Sequence, residues 1–196
     1  SGSILDGDCQ WMTAGSGIIH QEMPQPTERL LGCQIWLNLP AKDKMTPPAY
    51  NDILDADVPL VEECGTQVHI IAGTYQGQRG AFEGKFVSPL YLDIQAGAGV
   101  EWALETDPRS TLFIYTLAGT ANFDPQSDTL IPDKTVVLFN EGEQFWMRAS
   151  ETGVRILLLC APPLREPIAW GGPIVMNTPQ ELNQAFADLR ADTFIK

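Results

Sequence analysis

The chain has 196 residues, a formal net charge of -13 and a hydrophobic content of 44%, enough for one large domain or two small ones with a real core. Its Lys and Arg residues are scattered, which argues against nucleic-acid binding, a process that depends on phosphate neutralisation, and against an anionic membrane surface. No apolar run reaches the about 18 residues of a membrane-spanning helix.

Residues 1–8 carry neither a basic stretch nor an apolar one and do not read as a secretory signal. A Gly7-Asp8 turn then leads into a strand bearing Gln10, Trp11 and Met12. Gly15 and Gly17 make the next bend, where positive φ and close backbone approach are needed. Ile18, Ile19, His20, Gln21 and Glu22 follow directly. On a strand, residues i and i+2 share a face, so His20 and Glu22 would present an imidazole and a carboxylate together, as two metal ligands. Taken alone, an H-x-E tripeptide is more often a surface or hydrogen-bonded His beside a Glu.

Strand-like runs recur along the rest of the chain: Cys33–Leu39, Gln67–Ala72, Leu90–Ile94, Thr111–Leu117, Thr135–Phe139 and Arg155–Cys160. They are rich in β-branched and aromatic residues and bounded by turn formers, which predicts an all-β sandwich or barrel. The Pro-rich stretch 40–59 reads as a crossover between two β units. One helix is predicted near residues 179–190. Thr178 and Glu181 form a capping box, Pro179 suits the first helical position, and Leu182, Ala185, Phe186 and Leu189 recur on one face. The cysteines, Cys9, Cys33, Cys64 and Cys160, contain no C-x-x-C pair. Their apolar or strand-like contexts predict buried free thiols, which fits a cytoplasmic protein.

The run from Gly7 to Pro24 resembles the G-D-x-Q-W-M-T-A-G-x-G-I-x-H-x-E-M-P signature of the pirin family. Further matches follow in order: Gln34–Pro40, Lys44-Met45 with Pro48 and Tyr50, Ile71–Gly73, Tyr91–Asp93, Phe113–Gly119, Pro163–Pro167 and Gly172–Thr178. The resemblance implies two cupin-type (double-stranded β-helix, or jelly-roll) barrels. Residues 1–50 would be the later part of a first, incomplete barrel with the start of the crossover. Residues 51–162 would form the second barrel. Residues 163–196 would be a tail whose short helix packs back on the first.

The resemblance also implies an Fe(II)-type metal held by three His and one Glu. His20 and Glu22 match the downstream His and the Glu; the other two His belong to an upstream H-x-H strand not matched here. His69 matches a strand with no ligand role, and the Gly97–Gly119 and Gly142–Arg148 stretches lack His, so the second barrel is expected to be metal-free. Ser16 stands where the family has a basic residue, which bears on the handling of an anionic substrate.

Three functions follow as expectations. The first is a quercetin 2,3-dioxygenase-type enzyme acting on a small flavonol-like aromatic, with Glu22 also the proton-accepting base and Gln10, Met12, Gln34 and Trp36 as pocket walls. The second is a transcription co-regulator acting through a protein partner. The third is a metal-free β scaffold. With two ligands the chain alone is expected to be metal-poor and inactive, and its incomplete first barrel to favour self-association.

Overall fold

The structure, a computed structural model, describes residues 2–195. In chain order the strands are β1 (Cys9–Thr13), β2 (Ala49–Ile53), β3 (Leu60–Glu63), β4 (Thr66–Ala72), β5 (Thr74–Tyr75), β6 (Gln78–Arg79) and β7 (Leu90–Ala96). After them come β8 (Glu101–Glu105), β9 (Thr111–Asn122), β10 (Thr135–Leu138), β11 (Gln144–Ala161), β12 (Ala169–Gly171) and β13 (Ile174–Met176), and then helix α1 (Pro179–Arg190). The chain is therefore mostly β with one short C-terminal helix. It divides into two compact units, Ser1–Gln10 with Asp52–Pro163, and Trp11–Asn51 with Leu164–Lys196.

The first unit is built on an antiparallel sheet in the order β10-β9-β11-β7-β4-β3, with β8 also paired to β11. Strict alternation explains its core. Val68 and Ile70 of β4, Leu92 and Ile94 of β7, Ile114 of β9, and Ile156 and Leu158 of β11 all point inward and are fully buried. The register carries this face across the sheet: Val68 lies opposite Ile94, Ile94 opposite Ile156, and Ile156 opposite Thr116. Aromatic rings fill the rest of the interior. Phe145 packs edge-on to Phe139 at 5.1 Å and to Trp102 at 5.9 Å between centroids. Offset and edge-to-face pairs of this kind add to the gain from burial itself. Outside the core, Arg155 grips Asp93 bidentately, with Nε–Oδ1 at 3.0 Å and Nη2–Oδ2 at 2.6 Å. His69 lies opposite Asp93 on the neighbouring strand.

The Gly7-Asp8 turn forms as the residue types demand. Gly7 has φ +84, and a Cβ there would meet the Asp55 carboxylate at 2.3 Å. Asp8 accepts the Leu5 and Asp55 backbone N–H groups at 3.0 and 2.9 Å. Those bonds hold its carboxyl below the usual Asp range, the Asp55 amide contributing most.

In the second unit the strands are short. β12 and β13 form a two-stranded ribbon. Helix α1 follows with both halves of its capping box made: the Glu181 N–H donates to Thr178 Oγ1 at 3.2 Å, and the Thr178 N–H donates to Glu181 Oε2 at 2.8 Å. Leu182, Ala185 and Phe186 of the predicted apolar face are half-buried, but Leu189, in the last turn, is exposed.

Two expectations are corrected. Residues 18–40 contain no strand, so neither Cys33–Leu39 nor the His20–Glu22 stretch is one. Strand-forming side chains do not suffice: a strand exists only where a neighbour pairs its N–H and C=O groups. Among the described residues no such ladder partner is placed beside this stretch. The cysteines form no disulfide among the described residues, but none is buried. Cys33 and Cys64 are exposed, while Cys9 and Cys160 are half-buried. Cys64 sits at φ 46 in the turn joining β3 and β4, and a turn tip faces solvent whatever apolar residues flank it.

The bend before His20 is tightly specified. Gly15 has φ +52, and a Cβ there would lie 2.1 Å from the Thr46 carbonyl oxygen. The Ser16 N–H donates to that same oxygen at 2.9 Å. Gly15→Ala is therefore expected to cost about 2 kcal/mol or more, through left-handed strain and the loss of this bond. Urea denaturation of the two chains side by side checks it; an unchanged midpoint would show that the bend is not constrained.

Candidate functional site

His20 and Glu22 follow this bend, both exposed on irregular backbone. Gln34 and Trp36 are exposed on the same irregular stretch, and Trp36 retains 56% of its accessible surface. Gln10 and Met12 are half-buried and alternate onto one face of β1. Gln10 and Met12 sit on β1, which pairs with β2, and an aromatic pair joins Trp36 to β12. The Trp36 ring meets Trp170 of β12 edge-to-face, 6.5 Å between centroids and 66° between planes.

An imidazole and a carboxylate are donors of the right chemistry for a divalent metal. A non-haem iron centre commonly needs at least three protein ligands on one face, however. Among the described residues no three His, Cys, Asp or Glu side chains gather where they could hold an ion. The two residues thus do not make a metal site as they stand, and no reaction step is derived through one.

Two further features carry chemistry. Glu63, at the end of β3, accepts hydrogen bonds from the Tyr75 hydroxyl, the Gln76 side-chain amide and, at 2.8 Å, the Trp102 indole N–H. Burial pushes the Glu63 carboxyl up, but these donors together outweigh it and hold it below the usual Glu value. Burial, with the carboxylate beside it, pushes the Tyr75 hydroxyl up to about 12. Sequence reasoning noted Trp102 only for the absence of His around it. Glu63, Tyr75 and Trp102 belong to three strands, and no spacing rule connects them.

The other feature is a cavity of about 270 Å³ beside the paired ends of β9 and β11, lined by Asp107, Ser110, Leu112, Phe139, Phe145 and Cys160 among others. Burial pushes the Cys160 thiol up. None of the residues singled out as ligands or pocket walls lines this cavity.

Comparison with known proteins places this architecture. The family description "Pirin C-terminal cupin domain" matches residues 91–195, and "Pirin" matches residues 1–37. The chain is 38% identical to "Putative quercetin 2,3-dioxygenase PA3240" of Pseudomonas aeruginosa, over 96% of its own length and 68% of that protein's. It is 34% identical to "Pirin" of Homo sapiens, over 97% of its length and 66% of that protein's. The crystal structure of quercetin 2,3-dioxygenase from Acinetobacter baumannii superposes with a TM-score of 0.82 at 29% identity, covering 98% of this chain and 68% of that one. With a jelly-roll core, matches at both ends of the chain and relatives of this similarity, the chain belongs to the pirin family of cupin proteins.

Proposed function

We propose that this chain is the greater part of a pirin-like dioxygenase that acts on a flavonol-like aromatic once a metal site is completed around His20 and Glu22. The observation that carries the reading is the pair itself, an imidazole and a carboxylate two residues apart behind a glycine bend of strict geometry. Relatives named as quercetin 2,3-dioxygenases support the substrate class. In this reading Glu22 takes the proton of the flavonol hydroxyl at a carboxylate oxygen. Gln10, Met12, Gln34 and Trp36 are the proposed pocket walls. Fe(II) is the metal proposed, and with two donors alone the chain is proposed to be metal-poor. Cysteines outside disulfides suit a reducing compartment such as the cytoplasm.

A second reading, a protein-binding module without turnover, has one observation in its favour. Ile19, Met23, Leu30, Leu31 and Trp36 are all exposed large apolar residues within one short stretch. Such patches commonly meet a partner, a second copy of the chain included.

One experiment separates the two. A longer chain carrying an upstream H-x-H strand is loaded with Fe(II), and oxygen uptake is measured with quercetin. Turnover is expected, falling about 100-fold or more in Glu22→Gln, because general-base contributions are of that order. A metal-loaded protein with no oxygen uptake leaves the binding-module reading.

A further inference from the structure

Stretches far apart in the chain meet at one carboxylate in the second unit. Glu166, in the tail ahead of β12, accepts the Ala41 backbone N–H at 2.7 Å and the Asn177 side-chain amide at 3.3 Å. The same Asn177 amide also donates to the Pro167 carbonyl at 2.9 Å. Next to them Lys44 is buried, 7% exposed, and donates from Nζ to Asn38 Oδ1 at 2.6 Å. A buried ammonium survives only with acceptors and opposite charge around it. Burial lowers the Lys44 pKa, and the charges of Glu166 and Glu181 act against that shift. Ala41 is thus tied to the tail through Glu166, while Asn38 and Lys44, on either side of it, are tied to each other.

Two residues before Asn38 stands Trp36, and four after Glu166 stands Trp170. Their rings touch although both are largely exposed, at 56% and 71%. An exposed ring pair is a weak contact and does not by itself hold two mobile backbones in one arrangement. The polar anchor supplies the fixed geometry that the rings lack.

We infer that Glu166 is a positioning residue: by accepting the Ala41 amide and securing Asn177, it fixes the Asn38–Ala41 backbone and so holds the Trp36 ring against Trp170. The functional meaning of this, a tail that sets one wall of the aromatic pocket, rests on the dioxygenase reading; the positioning itself does not. Lys44 lies within electrostatic reach of Glu166, whose charge opposes the lowering of the Lys44 pKa.

The test is spectroscopic and needs no activity. Two indoles this close couple their electronic transitions and give a paired positive and negative band in the circular dichroism spectrum. The 196-residue chain is expected to show it, and Trp170→Phe to abolish it, which assigns the signal. Glu166→Ala is expected to lose most of the signal while the strand and helix bands persist. Glu166→Gln, whose amide oxygen still accepts the Ala41 N–H, is expected to keep it. A full signal in Glu166→Ala overturns the inference, as does its equal loss in Glu166→Gln, or its absence from the unaltered chain. Should Glu166→Ala not fold, hydrogen exchange at the Ala41 amide of the unaltered chain decides: protection is expected, and exchange at the free-peptide rate overturns the inference. Failure of the dioxygenase reading would leave every one of these readings unchanged.

Discussion

Metal titration of the 196-residue chain is expected to show weak binding of Fe(II) or of a spectroscopic stand-in such as Co(II), whereas a longer chain bearing an upstream H-x-H strand binds one equivalent. In the proposed site His20 and Glu22 would supply two ligands, and among the described residues no group of three or more donors is gathered, so water would have to fill the other positions. Each water left in place of a protein ligand forgoes part of the binding free energy. In the longer chain, His20→Ala is expected to weaken binding by 10-fold at the least, since even residues that only support a metal ligand are worth about 10- to 100-fold. Tight one-to-one binding by the shorter chain as a monomer would sink the proposal. So would a longer chain whose affinity ignores His20→Ala.

The second large effect is expected in the other unit, where Glu63→Leu should destabilise the fold by about 2–4 kcal/mol. The substitution strands two buried donors, the Tyr75 hydroxyl and the Trp102 indole N–H, each costing about 1–3 kcal/mol without an acceptor. Both residues are 5% exposed, so water does not readily replace the carboxylate. Glu63→Gln keeps an acceptor oxygen and should recover most of the loss.

The pH dependence follows from the sign of each shift. The folded Glu63 carboxyl titrates below its ordinary value, so its stabilisation is present above the unfolded pKa of about 4.3 and is lost as pH falls through the folded value. The Tyr75 hydroxyl, raised to about 12, contributes below the unfolded pKa and loses its contribution as pH climbs from about 10 towards that folded value. Guanidinium denaturation of both proteins should therefore show a stability gap that is widest between these limits and narrows in acid. A gap that stays constant down to pH values well below the carboxylate range would mean the network is not what Glu63 contributes.

Much of the first unit was legible because a sheet buried on one face writes its alternation into the sequence. Gln67–Ala72, Leu90–Ile94 and Arg155–Cys160 each lie within an observed strand, and they do so because Val68, Ile94 and Ile156 must face the same core. The capping box was legible for a different reason, since Thr178 and Glu181 act on each other across one turn and need no distant partner. Cys33–Leu39 has the same composition as a strand but no ladder beside it, and composition carries no information about whether a partner is present. The polar clusters escaped for want of spacing. Glu63, Tyr75 and Trp102 come from strands that do not pair with one another, and Ala41, Glu166 and Asn177 meet only through the return of the tail. In the candidate site the residue types of His20 and Glu22 were legible, while their shared strand face was not realised, because that face depends on the same missing ladder.

Strand β11 has a kinetic consequence. It runs from Gln144 to Ala161 and pairs with β8 at its start, with β7 towards its end and with β9 along both halves. Its partners were all laid down far earlier in the chain, so almost none of its bonds are local. Contacts of this kind are made late in folding, after the entropy of closing long loops has been spent, and domains rich in them fold in milliseconds to seconds rather than microseconds. β11 is thus the strand whose docking completes the sheet, and its amides are expected to open only when the whole unit unfolds.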